Sequence, residues 1–414
     1  MNVLYNLSIF FYSILIKLAS PFNQKASQIR KGRGRVFKEL PHKINHNSPV
    51  IWVHCASLGE FEQGRPLIEA IKKQYPSYQV FLTFFSPSGY EIRKNYDLAD
   101  YIYYLPADTK KNAQDLIDLI EPEIVFFIKY EFWFHYIHEL KRRNIPLYIV
   151  SAIFREDQLF FKNSPWGKWY RKMLFQFEHF FVQDNQSVEL LARIGLTNVT
   201  KAGDTRFDRV KEIARNRKNI PLVEKFKDGQ LLVVAGSTWK PDEELLAEYI
   251  HAHPEIKFII APHETKRGNI DRLISLLKTP VVCYTEATDD EITDKQVLIV
   301  DTIGLLSSIY QYADLSYIGG GFGVGIHNTL EAAIFGMPIV FGPNYLKFNE
   351  ATAMVKLGVA FPVNDYQQLQ PILDTLLSDM EKRERIAKDC TNFTNQNLGA
   401  TQTIISKVFH NLNG

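Results

Sequence analysis

Short apolar runs alternate with amphipathic stretches through most of this chain. In the first half the runs are residues 50–54, 79–84, 101–104, 124–128, 147–150 and 180–182. Between them, residues 66–73, 111–119 and 134–143 carry apolar positions at helical spacing. Apolar strands alternating with helices predict a parallel sheet covered on both faces. The pattern then restarts. Runs at 231–235, 256–260, 281–284, 297–300, 315–318 and 339–341 make a second series, with helices predicted at 241–251 and 304–312. Residues 210–229 are polar and weakly periodic, and read as the join between two Rossmann-like halves. The tail, about 373–412, reads as helical and able to pack back on the first half. The predicted division is 1–22, 23–210, 211–375 and 376–414. In words, this is an apolar helix, two α/β domains with a cleft between them, and terminal helices.

The first 22 residues break the alternation. They are nearly continuously apolar, and the basic residues Lys25, Arg30, Lys31, Arg33, Arg35, Lys38 and Lys43 come after them. A secretory signal has its positive residues in front. The order found here predicts a membrane-associated helix, spanning or interfacial, with the rest of the chain on the cytoplasmic side. The basic run also suits anionic lipid headgroups.

Bulk composition narrows the chemistry. At 414 residues the chain is long enough for two domains, and 46% hydrophobic with 23% charged residues is a globular balance. A net charge of +2 argues against a general nucleic-acid binder. Cys55, Cys283 and Cys390 are far apart, with no spacing for a disulfide framework or structural zinc. No metal site is expected.

Candidate chemistry sits where strands end. Residues 50–54 lead into Cys55-Ala56-Ser57-Leu58-Gly59-Glu60, which reads as strand, tight glycine turn and helix start. In open parallel sheets ligands bind just past the carboxyl ends of strands. Glu60 there is either a helix-dipole charge or a general base. Glu131 follows the run at 124–128 in the same way. In the second series, Gly319-Gly320-Gly321 follows the run at 315–318, with a helix predicted from about Asn328. Glycines admit a phosphate close to the backbone. Asn328 and Glu331 would share one helix face, where the carboxylate can accept bonds from ribose hydroxyls. Gly236-Ser237-Thr238 and Pro262-His263-Glu264 close two further strands. Ser237 and Thr238 could bind phosphate or cap a helix. Three such turns make a nucleotide site plausible. There is no GK[ST], and the first half has no early GxGxxG for a nicotinamide dinucleotide.

Taken together, ASLGE, YEFWF, GDTRFD, GSTW, APHE and GGGFGVGIHNTLEAAIFGMPIVFGP, in this order over almost the whole chain, resemble the 3-deoxy-D-manno-octulosonic acid (Kdo) transferases of lipid A synthesis. The resemblance implies the GT-B fold, two Rossmann-like domains facing a cleft. It implies inverting, metal-independent transfer of Kdo from CMP-Kdo to a tetraacylated lipid A precursor at the cytoplasmic face of the inner membrane. CMP-Kdo would be a co-substrate, with no cofactor and no nucleic acid involved. It places the catalytic base at Glu60 and an orienting carboxylate at Glu131. It places donor contacts at Gly236, Ser237, Thr238, Pro262, His263, Glu264, Gly319, Gly320, Gly321, Asn328 and Glu331. The acceptor side takes Ser57 and Gly59, with Arg65, Arg155 and Arg206 as candidate phosphate partners. Asn328-Thr329-Leu330-Glu331-Ala332 departs from the family's usual Asn-Pro-Leu-Glu-Pro without losing a charged group. The competing reading is another GT-B enzyme with a UDP-sugar donor, a glycosyltransferase or an epimerase. A catalytically inactive nucleotide-sugar binder is a third, against which the retained Glu60 argues.

Overall fold

The computed structural model describes residues 1–410. The chain forms two compact units. The first is Met1–Arg209 together with the segment from Leu398, and the second is Val210–Asn397.

The first unit is built on seven strands: Val50–Cys55 (β1), Gln79–Phe84 (β2), Tyr101–Tyr104 (β3), Pro122–Ile128 (β4), Leu147–Ala152 (β5), His179–Val182 (β6) and Val199–Lys201 (β7). They pair in parallel in the order β3-β2-β1-β4-β5-β6-β7. Successive side chains on a strand point to opposite faces. Trp52, Phe81, Val125 and Phe127 fill one core, while Ile51, Val53, Leu82 and Phe126 fill the other. Both faces are therefore covered, which is why these strands read as unbroken apolar runs.

The helix Leu58–Gln74 starts eight residues before the predicted 66–73 and continues through Pro66. It lies close on the sheet because Gly64 has no side chain. A Cβ there would sit 3.2 Å from both the Cys55 Sγ and an Ile128 side-chain carbon.

The first helix, Asn2–Ala19 (α1), lies along this unit. Its inner side is fastened at several points. Tyr5 is buried and donates its hydroxyl to Asp108. Trp169 donates to Asn2 at 2.7 Å, and His135 to Asn6 at 2.6 Å. Tyr12 stacks on Phe85 at 6.0 Å. Beyond the turn, Arg30 of the helix Gln24–Arg33 (α2) donates to Ser20 at 2.9 Å. The outer side leaves Leu4, Leu7, Phe10, Phe11, Leu15 and Leu18 exposed.

The second unit repeats the plan with Leu232–Thr238 (β8), Lys257–Pro262 (β9), Val281–Cys283 (β10), Val297–Ile299 (β11), Leu315–Ile318 (β12), Ile339–Phe341 (β13) and Ala360–Pro362 (β14). Its order is β10-β11-β9-β8-β12-β13-β14, again parallel.

Three expectations need revision. The stretch 210–229 is largely helical, in Arg206–Arg215 and Pro221–Lys227. The tail does not act as one body. Met380–Gln396 stays with the second unit, and Ala400–His410 packs on the first, where Phe409 stacks on Tyr75 at 3.9 Å. Residues 411–412 of the predicted tail lie outside the described residues. The helix expected from Asn328 spans only Leu330–Ala333, so Asn328 precedes it.

Candidate active site

Each sheet reverses its strand order at its centre, between β1 and β4 in the first unit and between β8 and β12 in the second. Such a switch point is where an open α/β sheet leaves a crevice at its carboxyl edge. Glu60 follows β1 and Glu131 follows β4, so the two predicted carboxylates flank the first reversal.

Glu60 lies in the first turn of the helix Leu58–Gln74, with Ser57 as N-cap. The Ser57 Oγ accepts from the Gly59 N–H at 3.2 Å and donates to the Glu60 carboxylate. Gly59 is a helical residue rather than a turn, and a Cβ there would meet only the Ser57 Oγ, at 3.7 Å. The fold does not demand glycine at this exposed position; its absence of a side chain leaves the surface beside Glu60 open.

Glu131 ends a buried relay that no motif announced. The Trp52 Nε1 donates to the Thr83 Oγ1 at 2.7 Å, and that hydroxyl stands 2.9 Å from the His54 Nδ1. The His54 Nε2 faces a carboxylate oxygen, the Glu131 Oε2, at 3.0 Å and must carry the proton. The Thr83 hydroxyl then donates to Nδ1, and every link points the same way. The Trp133 Nε1 donates to the same Oε2 at 2.6 Å. Two N–H donors hold Glu131 by one oxygen, and neither reaches Oε1. This is an orienting arrangement; at Glu60 the hydrogen bond among the described residues comes from the Ser57 hydroxyl.

The three arginines behave differently from one another. Arg65 lies on the flank of its helix, paired with Glu69 at 2.8 Å and placed over the Tyr96 ring. Arg206 is paired with buried Asp204 through Nη2 at 2.6 Å and Nε at 2.9 Å. Burial alone would raise the Asp204 carboxyl; the Arg206 charge outweighs it and holds it below the ordinary range. Gln63 adds a bond at 3.2 Å. Both arginines are thus occupied by carboxylates. Arg155 is exposed on the loop after β5.

In the second unit the glycines do a different job from the one expected. A Cβ at Gly319 would strike the Ser237 backbone and lie 2.6 Å from the Thr238 Cα. One at Gly321 would lie 2.6 Å from the Gly342 Cα. One at Gly236 would collide with the Tyr310 hydroxyl. These positions are glycine because backbones and a buried tyrosine pass across them. Gly320, at φ +89°, donates its N–H at 2.9 Å to Asp242. The carboxylate of Asp242 therefore occupies the place a phosphate would take on that amide. It also accepts from the Trp239 N–H and the Tyr317 hydroxyl, each at 2.9 Å, and burial raises its pKa. Asp242 was missed; its signal was an acid three residues after Trp239 at a proline-started helix.

Thr238 is committed too, donating to Glu243 at 3.0 Å. Ser237 stands at φ +55° where the β8–β9 register slips, a strained position for a serine. Past β9, Pro262 ends the strand and His263 is sandwiched between Trp239 at 4.6 Å and His327 at 4.5 Å. The Trp239 Nε1 donates to the His327 Nε2 at 3.1 Å. Burial first, and then the neighbouring His263, lowers the His327 pKa to about 4. Glu264 accepts from Asn269 at 3.1 Å. Asn328 donates to Glu331 at 2.9 Å and accepts from the Leu330 N–H at 3.1 Å.

Residues 29–209 match a family model described as 3-deoxy-D-manno-octulosonic-acid transferase (kdotransferase). That span is most of the first unit and includes Glu60 and Glu131. The 3-deoxy-D-manno-octulosonic acid transferase of Haemophilus influenzae is 27% identical over 372 residues, 86% of this chain and 85% of its own. That of Aquifex aeolicus is 26% identical, over 82% of this chain and 91% of its own. The chain is thus similar to the Kdo transferases, by the family model in its first unit and by these relatives over most of its length. It is therefore a glycosyltransferase, and a Kdo glycosyltransferase of lipopolysaccharide biosynthesis. Among solved structures, UDP-GlcNAc 2-epimerase from Neisseria meningitidis, bound to UDP-GlcNAc, superposes with a TM-score of 0.59 at 15% identity. It covers 87% of this chain and 100% of its own, a likeness of fold alone and that of two GT-B domains.

Proposed function

We propose that this Kdo transferase moves Kdo from CMP-Kdo to a phosphorylated, tetraacylated lipid A precursor, by a single inverting displacement that needs no metal. The acceptor oxygen attacks the anomeric carbon. The bond from that carbon to the CMP phosphate breaks, CMP leaves with the electron pair, and the acceptor's proton passes to the Glu60 carboxylate. The observation that carries this reading is the placing of Glu60 and Glu131 on either side of the β1/β4 reversal, one carboxylate open and one held by donors. Glu131 orients the reacting groups, and the second unit takes the nucleotide with Ser237, His263, Asn328 and Glu331 among its polar contacts. The work takes place at the cytoplasmic face of the inner membrane. Supporting this, α1 is tied to the body from Asn2 to Ser20 and keeps an apolar outer row, as an interfacial helix does.

The test is transfer by the purified full chain from CMP-Kdo to the tetraacyl precursor, beside Glu60→Gln and Glu60→Ala. Loss of about a hundredfold or more in both variants, with nucleotide binding kept, is the expected result. Activity should survive EDTA. A Glu60→Gln enzyme close to wild type removes Glu60 as the base, and Glu131 is then examined. The fold likeness to UDP-sugar enzymes gives the second reading its one support. Thermal stabilisation by cytidine rather than uridine nucleotides separates the two.

A further inference from the structure

Two cavities lie side by side under α1, and they differ in character. The first, about 290 Å³, is an apolar slot lined by Ile9, Tyr12, Phe85, Leu105, Ala107 and Trp133. The second, about 350 Å³, is bordered by Lys17, Arg30 and Arg33. Arg33, Pro106 and Ala107 line both, so Arg33 stands where they meet. Its guanidinium lies over the rings of Phe85 at 4.8 Å and Tyr12 at 5.3 Å. Its Nε is buried and donates to nothing. Asp108, the carboxylate on the slot wall, is already taken up by the Tyr5 hydroxyl and the N–H groups of His135 and Tyr136. Arg33 lines both cavities, so a phosphate entering there would meet its guanidinium and take a charge-assisted bond from it.

The slot also has an address. Phe85 follows β2, Leu105 follows β3 and Trp133 follows β4, so it opens along the same sheet edge as the two carboxylates. Trp133 is at once a wall of the slot and the donor to Glu131. An amphiphile whose chain lies against one side of this indole has its head group one side chain from the reacting centre.

We propose that the slot between α1 and the carboxyl ends of β2 and β3 holds one acyl chain of the acceptor lipid, and that Arg33 pairs with that lipid's phosphate. This deepens the acceptor reading given above and rests on it. It assigns the phosphate to a guanidinium with an unsatisfied donor, rather than to Arg65 or Arg206, which already hold carboxylates.

The experiment is photo-cross-linking of the full chain, without donor. The probe is a bisphosphorylated, tetraacylated glucosamine disaccharide with a diazirine in mid-chain, presented in detergent micelles with excess phosphatidylglycerol. Adducts mapped by mass spectrometry are expected on Ile9, Tyr12, Leu105 or Ala107. They should fall at least tenfold in Arg33→Gln, fall less in Arg33→Lys, and be equally weak for both wild type and Arg33→Gln when the probe is dephosphorylated. Ala107→Phe, which fills the slot from the other side, should lose them with an unchanged circular dichroism spectrum. Adducts confined to the outer row of α1, adducts indifferent to Arg33, or displacement by phosphatidylglycerol overturn the proposal, the last by showing a bulk-lipid groove. Slot labelling in a protein that transfers no Kdo overturns the functional reading alone. Transfer without slot labelling overturns the slot alone.

Discussion

His327 accepts a hydrogen bond through a nitrogen that must be unprotonated, because the Trp239 indole can only donate. Its folded pKa is depressed to about 4 from 6.5, chiefly by burial. The sign of the consequence is fixed. Above pH 6.5 the ring is neutral in both folded and unfolded chains and costs nothing. Between 6.5 and about 4 the unfolded chain binds the proton first, so stability falls as the pH falls. Thermal unfolding of the wild type from pH 7 down to 4 should therefore drop more steeply than that of His327→Gln, which keeps an acceptor but does not titrate. Equal slopes would show that the Trp239 bond does not depend on this protonation state. The sequence exposed such residues unevenly. Glu60 was legible because strand, small residues and helix start are consecutive. The relay behind Glu131 was not, because Thr83 and Glu131 lie 29 and 77 positions from His54. They meet only because register pairs His54 with Thr83 across β1 and β2, and β4 lies on the other side of β1.

At the scale of elements, α1 carries two messages on one helix. Tyr5, Ile9, Tyr12 and Ile16 recur at three- and four-residue spacing on the inner side, while the apolar residues between them face outward. An all-round apolar sequence hides that division, which is why spanning and interfacial readings could not be separated from composition. Its two ends are bound to Trp169 and to Arg30, and its outer row stays exposed. Phe10→Glu with Leu15→Glu should release the protein from phosphatidylglycerol-containing vesicles in sedimentation, with the melting temperature within a few degrees of wild type. Retained binding would place membrane contact elsewhere. Strand legibility followed the same physics. Central strands buried on both faces were evident, whereas edge strands β7 and β14 are three residues each, and β7, Val-Thr-Lys, offers no apolar run. The helices in 206–227 were lost because their apolar positions are few among charged ones.

For the whole molecule, two series of runs separated by a polar stretch were enough to give two parallel α/β units, since only such sheets bury strands on both faces. The path of the tail was less accessible. Helix formation is local, but the choice of unit depends on which surface complements the apolar side, and Ile404, Ile405, Val408 and Phe409 find theirs on the first unit. Deleting Ala400–His410 removes four fully covered apolar side chains at roughly 2 kcal/mol each. Urea unfolding should show the first unit's transition shifted down or lost, with the second unit's transition kept. An unshifted first transition would mean that the helix only decorates that surface.

That returning helix also sets an order of events during synthesis. The second unit, Val210–Asn397, is contiguous and can close as soon as it has emerged. The first unit, although most of it is made earliest, lacks one wall of its core until residues 400–410 are out. The half that carries Glu60 is thus completed only after the second unit is ready.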